Sequence, residues 1–558
     1  MKMYRYPNLE KLLLRRTFLL GLGKTAIFTG IIGRLLYLQI FKTDEYKLLA
    51  NKNRISLRLL NPVRGEIYDR NKNIIAKNKK TFRVLATAKN KQHAKEIINK
   101  VSKVIYLSDE EINASVNQYS KKKKFLPFLI KENLKWNELS TISVNSYIFP
   151  EVFIETGLER EYPFNNTAAH TIGYLSPPAS KDIKKEPILG MMNTNIGKSG
   201  VEQTFENDLR GTPGTKHLEV NAFGRVVREI RRENSKRGKD VKLTIDIKLQ
   251  KYLDELLSNK NGSIVVIKVK TGEILGMASS PNFDPNDFNR GLTQKKWDEI
   301  VNDPFAPLVN KSISGEYSPG STFKTLVLLS AFKNKIIKPN TLIDAQSKLE
   351  FEDRSFYCWC HKKKTGCWAA KNHQRQVGPK LAIAQSCDSF FYELSRKVGI
   401  EKIAATALDF GIGRETGLNI GGEKVGLVPT KSWKKKKFKK KWQIGETIIT
   451  GVGQGYLTAT PLQLALSTAL IANDGKVTVP TLQVEDNNNS NSFLNSEIDL
   501  TDYKDYFTTI KKGMYNVVNK PYGTAYRSRL TNPIFAGKTG TVQVRKISEE
   551  EREKEIIK

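Results

Sequence analysis

Ser321-Thr322-Phe323-Lys324 sets a hydroxyl and an amine at positions i and i+3. On a helix those positions share one face, within side-chain reach, so Lys324 can take the proton of Ser321, a hydroxyl too weakly nucleophilic to act unaided. To do so the lysine must be neutral, which asks for a partly buried, charge-rich site that lowers its pKa. The flanks agree: Tyr317-Ser318-Pro319-Gly320 reads as a turn and Phe323 to Leu329 as the start of a buried helix. Ser321 then sits at a helix N-terminus, where backbone N–H groups favour developing negative charge. One tetrad is weak evidence in a lysine-rich chain, since Ser120/Lys123 and Ser432/Lys435 match it inside lysine runs. Two further groups follow in order. Ser386-Cys387-Asp388 offers a second hydroxyl and an orienting carboxylate to the lysine. Lys538-Thr539-Gly540-Thr541, after the apolar Ile534-Phe535-Ala536, offers a cation and two hydroxyls on what reads as an edge strand, able to add a peptide as a strand and hold its carboxylate. In this order and spacing the three groups describe an acyl-transfer site.

The elements around these motifs predict an α/β (α+β) domain with an antiparallel sheet covered by helices. It opens at Val241 to Asp246, continues with a helix from Ile247 to Leu257, and then has strands Ser263 to Val269 and Glu273 to Ser279 around a Lys270-Thr271-Gly272 turn. Long helical runs follow at Phe323 to Phe332, Val377 to Val398 and Pro461 to Ala472, and Asp486 to Asn495 reads as a surface loop. Residues 240–558 are assigned to this catalytic domain. Residues 42–239, with strands such as Phe82 to Ala86 and helices such as Lys91 to Val104, carry no catalytic grouping and read as an elongated pedestal ending in a charged linker, Arg225 to Lys239. His170 there reads as a packed or hydrogen-bonded structural histidine.

With 558 residues the chain exceeds a single core, and 39% hydrophobic residues suffice for packed domains. The net charge of +35 is spread along the chain, with runs at Lys121 to Lys124 and Lys434 to Lys441, and no nucleic-acid-binding signature accompanies it. It reads as solvated faces together with attraction to anionic lipid and a pyrophosphate-linked lipid substrate, with no nucleic-acid partner. Residues 17–41 are apolar enough to span a bilayer, which takes about twenty residues, with Lys24 and Arg34 placed to snorkel. Lys2, Arg5, Lys11, Arg15 and Arg16 precede the span, so residues 1–16 are expected in the cytoplasm and everything after the anchor outside it. No small-residue cleavage site follows, which predicts an uncleaved, single-pass anchor.

These motifs resemble those of class B penicillin-binding proteins, in the branch of penicillin-binding protein 2 that serves rod elongation. Further landmarks carry the resemblance: Arg64-Gly65-Glu66-Ile67-Tyr68-Asp69-Arg70-Asn71, Gly157-Leu158-Glu159-Arg160-Glu161-Tyr162-Pro163, Gly200-Val201-Glu202, Leu209-Arg210-Gly211, Leu427 to Trp433 and Gly453-Gln454-Gly455-Tyr456. The resemblance implies a penicilloyl-serine transferase fold and D,D-transpeptidation of peptidoglycan in the inner membrane, with the catalytic domain in the periplasm. Ser321 would be the acylated residue, and Lys324, Ser386, Asp388 and Lys538 its catalytic network. Thr539, Gly540 and Thr541 would bind substrate, and the N–H groups of Ser321 and Thr541 would form the oxyanion hole. It implies stem peptides, a lipid-linked precursor and β-lactams as ligands, and a membrane-embedded glycosyltransferase with its scaffold proteins as partners; no cofactor is required for catalysis. The family continues past the Lys-Thr-Gly motif with a further strand and a closing helix. This chain ends at Lys558, so a C-terminally incomplete domain of lowered activity is expected. A β-lactam sensor or β-lactamase, and a non-catalytic wall scaffold, are the competing classes.

All four cysteines fall in one stretch, Cys358, Cys360, Cys367 and Cys387, with His361 and His373 among them. Three readings stay open: disulfides, as suits an exported protein; free buried thiols; and a structural zinc held by Cys358, Cys360, Cys367 and His373, ligands of the right type and number though not at a standard spacing. Some members of the resembled branch carry a metal in this region. Cys387, inside the second motif, reads as a packing residue.

Overall fold

The computed structural model describes residues 7–42, 55–121, 127–192, 194–220, 226–352, 354–360, 376–476, 479–484 and 500–543. The Asp486 to Asn495 loop and the tail from residue 545 lie outside them. The chain forms two units. One is built from Met1–Pro62, Thr81–Gly157 and Thr212–Lys236, the other from Val63–Lys80, Leu158–Gly211 and Arg237–Lys558.

In the first unit a helix runs from Pro7 to Leu36 and continues as a wider turn through Tyr37–Phe41. Arg15–Phe41 spans 27 residues with a mean hydropathy of 1.4 and is not covered by protein. At about 1.5 Å per residue this exceeds the ~30 Å of a bilayer's hydrocarbon core. Thr25 and Thr29 return their hydroxyls to the carbonyls of Gly21 and Thr25, at 2.9 and 2.8 Å, so neither needs water. Arg34 lies over the Tyr37 ring, 5.5 Å from its centroid, near the end of the apolar run. An antiparallel sheet orders Ile55–Leu60, Gly214–Val220 and Val226–Glu233 side by side. A separate small core forms where the helix Lys91–Ser102 lays Ala94, Ile97, Ile98 and Val101 against Val84, Phe128 and Ile130. That spacing is one helical face, and the helix starts where Asn90 Oδ1 accepts from His93 N at 2.8 Å.

The second unit takes in two stretches that the sequence alone groups with the pedestal, and charge explains why. Glu202 is fully buried. Its carboxylate accepts from Arg64 Nε at 2.8 Å, Arg160 Nε at 2.8 Å and Tyr162 Oη at 3.2 Å, while Arg64 also reaches Glu206 at 2.7 Å. Arg160 Nη1 in turn donates to Gly65 O at 2.7 Å. Three of the sequence landmarks, far apart in the chain, thus meet on one carboxylate. Burial alone would raise the Glu202 carboxyl, but Arg160 and Arg64 outweigh it and hold it below the ordinary carboxylate value. Asp69, also fully buried, accepts from the N–H groups of Asn71 and Asn73 at 2.8 Å each and of Ile247 at 3.2 Å, fixing the start of the next helix.

That helix, Ile247–Leu256, is capped by Asp246, which accepts from Lys248 N and Leu249 N at 3.0 and 3.2 Å, and packs on the antiparallel hairpin Gly262–Ile267 and Ile274–Ser280. The largest core lies among helices: Lys324–Lys333, Asp388–Val398, Ile400–Asp409, Pro461–Ala472 and Phe507–Asn519. Every residue from Lys324 to Phe332 is buried, as the all-round apolar pattern predicts. Two expectations need correction. The run Val377 to Val398 is not one helix but two, Pro379–Ala384 and Asp388–Val398, because Ser386 adopts φ +51°, a left-handed conformation that no continuous helix contains. Gly537 to Thr541 forms no strand ladder with the described residues: Gly537 N donates to Met514 O at 3.2 Å, and the side-chain bonds of Lys538 and Thr539 hold the rest in place.

Glu202→Gln leaves the buried Arg160 guanidinium without its countercharge and Arg64 with Glu206 alone, a loss on the order of 3–5 kcal/mol. The variant should melt several degrees lower at neutral pH. Because the folded Glu202 carboxyl lies below its ordinary value, its contribution is present at neutral pH and lost as pH falls through that depressed value. The gap between wild type and variant should therefore narrow on acidification; equal melting temperatures at neutral pH would contradict the assignment.

Candidate active site

Backbone packing sets the position of Ser321. Gly320, at φ +57°, donates its N–H to Gly453 O at 2.8 Å. A Cβ on Gly453 would lie 2.0 Å from Gly320 O, and one on Gly320 2.7 Å from Thr541 O, so three chain segments close on the serine turn only because these positions are bare. Gly320–Thr322 is a tight turn, Thr322 Oγ1 bonds back to Pro319 O at 2.7 Å, and the helix Lys324–Lys333 follows. Ser321 is left half-buried at its mouth, while Lys324, one turn deeper, has no exposed surface.

Lys324 Nζ donates to Asp388 Oδ1 at 2.6 Å, Ser386 O at 2.9 Å and Ser386 Oγ at 3.2 Å. The sequence asks for a neutral amine here; the structure gives it a carboxylate partner and three acceptors, the full donor capacity of an ammonium. Lys538 Nζ approaches the same hydroxyl from the other side. It donates to Ser386 Oγ at 2.9 Å and Thr539 O at 2.8 Å, and Thr539 Oγ1 meets Thr524 Oγ1 at 2.9 Å. Burial and the nearby charge of Lys324 push Lys538 down from 10.5 to about 7, against a smaller opposing pull from Asp388. Ser386 thus lies between two amines, and its left-handed backbone aims both its carbonyl and its hydroxyl at Lys324. Gly540 sits beside the serine turn: a Cβ there would meet the Thr322 methyl at 3.1 Å.

Asp388 opens the helix Asp388–Val398, and its second oxygen accepts from Trp359 N at 2.9 Å. Trp359 Nε1 donates to Gln385 O at 3.1 Å, so this residue braces the motif from outside the catalytic groups. Sequence reasoning passed over it. The only signal was its place between Cys358 and Cys360.

The cysteines divide. Cys358 and Cys387 are free and buried, and a hydrogen bond between them pulls the Cys358 thiol down to about 6 while the same bond, and then burial, push Cys387 up. Cys360 is disulfide-bonded, so in this state it has no thiolate to offer a metal. Cys367 and His373 lie outside the described residues, among which no group of three metal-ligating side chains occurs. His170 is buried, its Nε2 2.6 Å from Pro307 O and its ring edge-on to Phe283; burial pulls it down to about 4, a structural role.

A serine at a helix mouth, a buried lysine one turn below it and a second lysine sharing a bridging serine can carry an acyl group and shuttle its protons. The comparisons agree. Residues 262–556 match the penicillin binding protein transpeptidase domain and residues 59–243 the penicillin-binding protein dimerisation domain. Peptidoglycan D,D-transpeptidase MrdA of Escherichia coli K12 is 33% identical over 97% of this chain and 86% of the relative. The Haemophilus influenzae protein of the same name is 34% identical over 97% and 84%. Among solved structures, penicillin-binding protein 2 of Helicobacter pylori in complex with MreC superposes with a TM-score of 0.77 at 31% identity, covering 88% of this chain and 90% of that one. Pseudomonas aeruginosa PBP2 with WCK 5153 gives 0.60 at 28% identity, over 85% and 82%. The chain belongs to the class B penicillin-binding proteins, in the penicillin-binding protein 2 branch.

Proposed function

We propose that the chain is a peptidoglycan D,D-transpeptidase of cell-wall elongation that works through an acyl-enzyme on Ser321. The hydrogen-bonded line Lys324–Ser386–Lys538 beneath the serine turn carries this reading. With Lys538 neutral, a proton passes from the Lys324 ammonium to Ser386 Oγ as the Ser386 proton moves to Lys538. Lys324, now neutral, takes the Ser321 proton as its oxygen attacks the carbonyl between the two terminal D-alanines. The tetrahedral oxyanion sits at the N–H groups of Ser321 and Thr541, and Lys324 returns the proton to the nitrogen of the departing D-alanine. The side-chain amine of a second stem peptide then attacks the acyl-serine, its proton returning along the same route, and Ser321 is released with a crosslink formed. Asp388 keeps Lys324 in line, and Lys538, Thr539 and Thr541 hold the substrate carboxylate. A β-lactam acylates Ser321 by the same attack and blocks it.

The apolar span and the basic residues before it support a single-pass anchor in the inner membrane, with a cytoplasmic N-terminus and the catalytic unit in the periplasm. The Helicobacter pylori neighbour was solved with MreC, which supports a scaffold of that kind as a partner; a membrane-embedded glycosyltransferase is the second partner proposed. The steps above use side chains and the two backbone N–H groups of the oxyanion hole. A structural zinc on Cys358, Cys360, Cys367 and His373 is proposed only for the chain with Cys360 reduced. After reduction and anaerobic purification without added metal, elemental analysis should find near-stoichiometric zinc, and less than about a tenth of an equivalent ends the idea.

Intact-mass spectrometry with a penicillin should show one stable adduct that Ser321→Ala abolishes. An adduct surviving that substitution would remove Ser321 from its role, and release of hydrolysed penicillin within minutes would favour a β-lactamase. The acylation rate should rise with pH through a midpoint near 7, set by Lys538. Lys538→Arg, which stays charged, should lose roughly a hundredfold or more of the rate and the midpoint with it. A midpoint near the ordinary lysine value, or a wild-type rate in the variant, would contradict the relay. The same shift has a stability sign: between about 7 and 10.5 the unfolded chain binds the proton that folded Lys538 lacks, so this group's contribution favours folding increasingly as pH rises through that window.

A further inference from the structure

Beside the serine turn the chain carries an aromatic and cationic surface that the acyl-transfer steps do not use. The segment after Gly453 runs against the one before Ser321: Ser318 Oγ donates to Leu457 O at 3.3 Å, and Tyr317 pairs with Ala459. Tyr456 stands on this segment, three residues from Gly453, which itself touches Gly320; extended chain of that length reaches at most ~11 Å. Leu427, on the loop that leads to the helix Lys431–Phe438, pairs with Thr458 of the same segment. That helix brings Trp433 and Phe438 onto Tyr456, with ring centroids 5.1 and 5.5 Å from it. Trp433 and Tyr456 are half-buried and Phe438 is 42% exposed, so the cluster presents ring surface outward. Lys437 Nζ lies 5.6 Å from the Trp433 centroid and 5.8 Å from that of Phe438.

The charge around these rings is lopsided. Residues 434 to 441 hold seven lysines. Lys434 is buried and paired with Glu446. The others, Lys435 to Lys437 and Lys439 to Lys441, are exposed and make no ion pair among the described residues. Three of them lie in the last helical turn and Lys439 caps it, where the helix dipole welcomes cations, but Lys440 and Lys441 lie beyond the cap. Like charges packed this closely cost stability. A polyanion laid across them repays that cost.

We propose that Trp433, Phe438, Tyr456 and the Lys435 to Lys441 run form a subsite for an uncrosslinked peptidoglycan strand, next to the acylated serine. This rests on the transpeptidase reading of the site. The strand's chemistry fits both halves of the surface. Its pyranose rings and acyl methyls offer apolar faces to the aromatic side chains, and the free carboxylates of its stem peptides meet the lysines. A small β-lactam has no pyranose rings, and its single carboxylate is met by Lys538, Thr539 and Thr541, so the subsite distinguishes polymer from antibiotic at the same serine.

The test measures binding of fluorescent uncrosslinked peptidoglycan strands to the full chain in detergent, with Ser321→Ala to stop turnover. Reversing Lys435, Lys436 and Lys439 to Glu should weaken binding about tenfold or more, while the matching triple change to Arg stays within about twofold. Phe438→Ala should weaken it about fivefold, and wild-type binding should fall steeply between about 0.05 and 0.3 M salt as screening shortens. Melting temperatures of the variants identify any that fail to fold, and the arginine triple separates charge from structure. Equal strand binding by the glutamate and lysine forms overturns the proposal. So does loss, in the glutamate form, of binding to phosphatidylglycerol vesicles with strand binding unchanged, which would make the patch a lipid contact. Penicillin labelling of the chain with Ser321 intact keeps the two readings apart. A normal adduct with unchanged strand binding sinks the subsite alone, whereas no adduct sinks the transpeptidase reading and the subsite with it.

Discussion

One hydroxyl between two amines organises the catalytic unit. Ser386 Oγ is 3.2 Å from Lys324 Nζ and 2.9 Å from Lys538 Nζ, and two ammonium groups at that spacing repel each other in a site largely shielded from water. A single carboxylate, Asp388, answers them, and it lies on Lys324 at 2.6 Å. The asymmetry decides the chemistry. One amine has the carboxylate as its partner and the other is pushed down to about 7, so near neutral pH the site exchanges a proton at Lys538. Bringing Ser386 to this point takes a residue at φ +51° between two helices, strain of order 1–3 kcal/mol held by the core around it.

That core explains how exposed chemistry is held firmly. The serine helix is buried along its length, and the helices Asp388–Val398 and Ile400–Asp409 pack directly on it, so the motif residues at their ends move little relative to one another. At the surface the third motif is held differently. Its residues have no strand partner among those described and depend on Thr524, Ser386 and the close approach of Gly320 to Thr541. The mobile-proton lysine therefore sits on the least supported segment of the site, where substrate binding can add hydrogen bonds the segment lacks. In the same unit the buried Glu202, with Arg64 and Arg160, ties stretches of chain more than a hundred residues apart. Such a network is costly to desolvate and costly to break, which makes it a better device for fixing which segments meet than for raising stability.

What the sequence made legible was local. The Ser321/Lys324 pair rests on an i, i+3 relation that any helix imposes, and the helices at Ile247 and Pro461 start where the sequence predicts because Asp246 and Thr460 cap them. The order of the three motifs was readable, and the structure brings Lys324, Ser386, Asp388 and Lys538 together. What was hidden depended on tertiary context. A helix broken at a non-glycine residue in a left-handed conformation leaves no mark in the apolar pattern of Val377 to Val398. Trp359 acts through its backbone N–H, which carries no sequence signature. Lys324 and Lys538 are alike in type and differ in the partners that folding assigns them, which no sequence pattern shows.

The central claim is that Lys538, the amine that does not hold the Asp388 carboxylate, gives up its proton near neutral pH. Neutron diffraction from crystals of the perdeuterated catalytic unit, at a pH about one unit above the Lys538 midpoint, measures this directly. Three deuterons should appear on Lys324 Nζ and two on Lys538 Nζ, with Ser386 Oγ bonded to both nitrogens. Three deuterons on each nitrogen, or the vacancy on Lys324, would contradict the account.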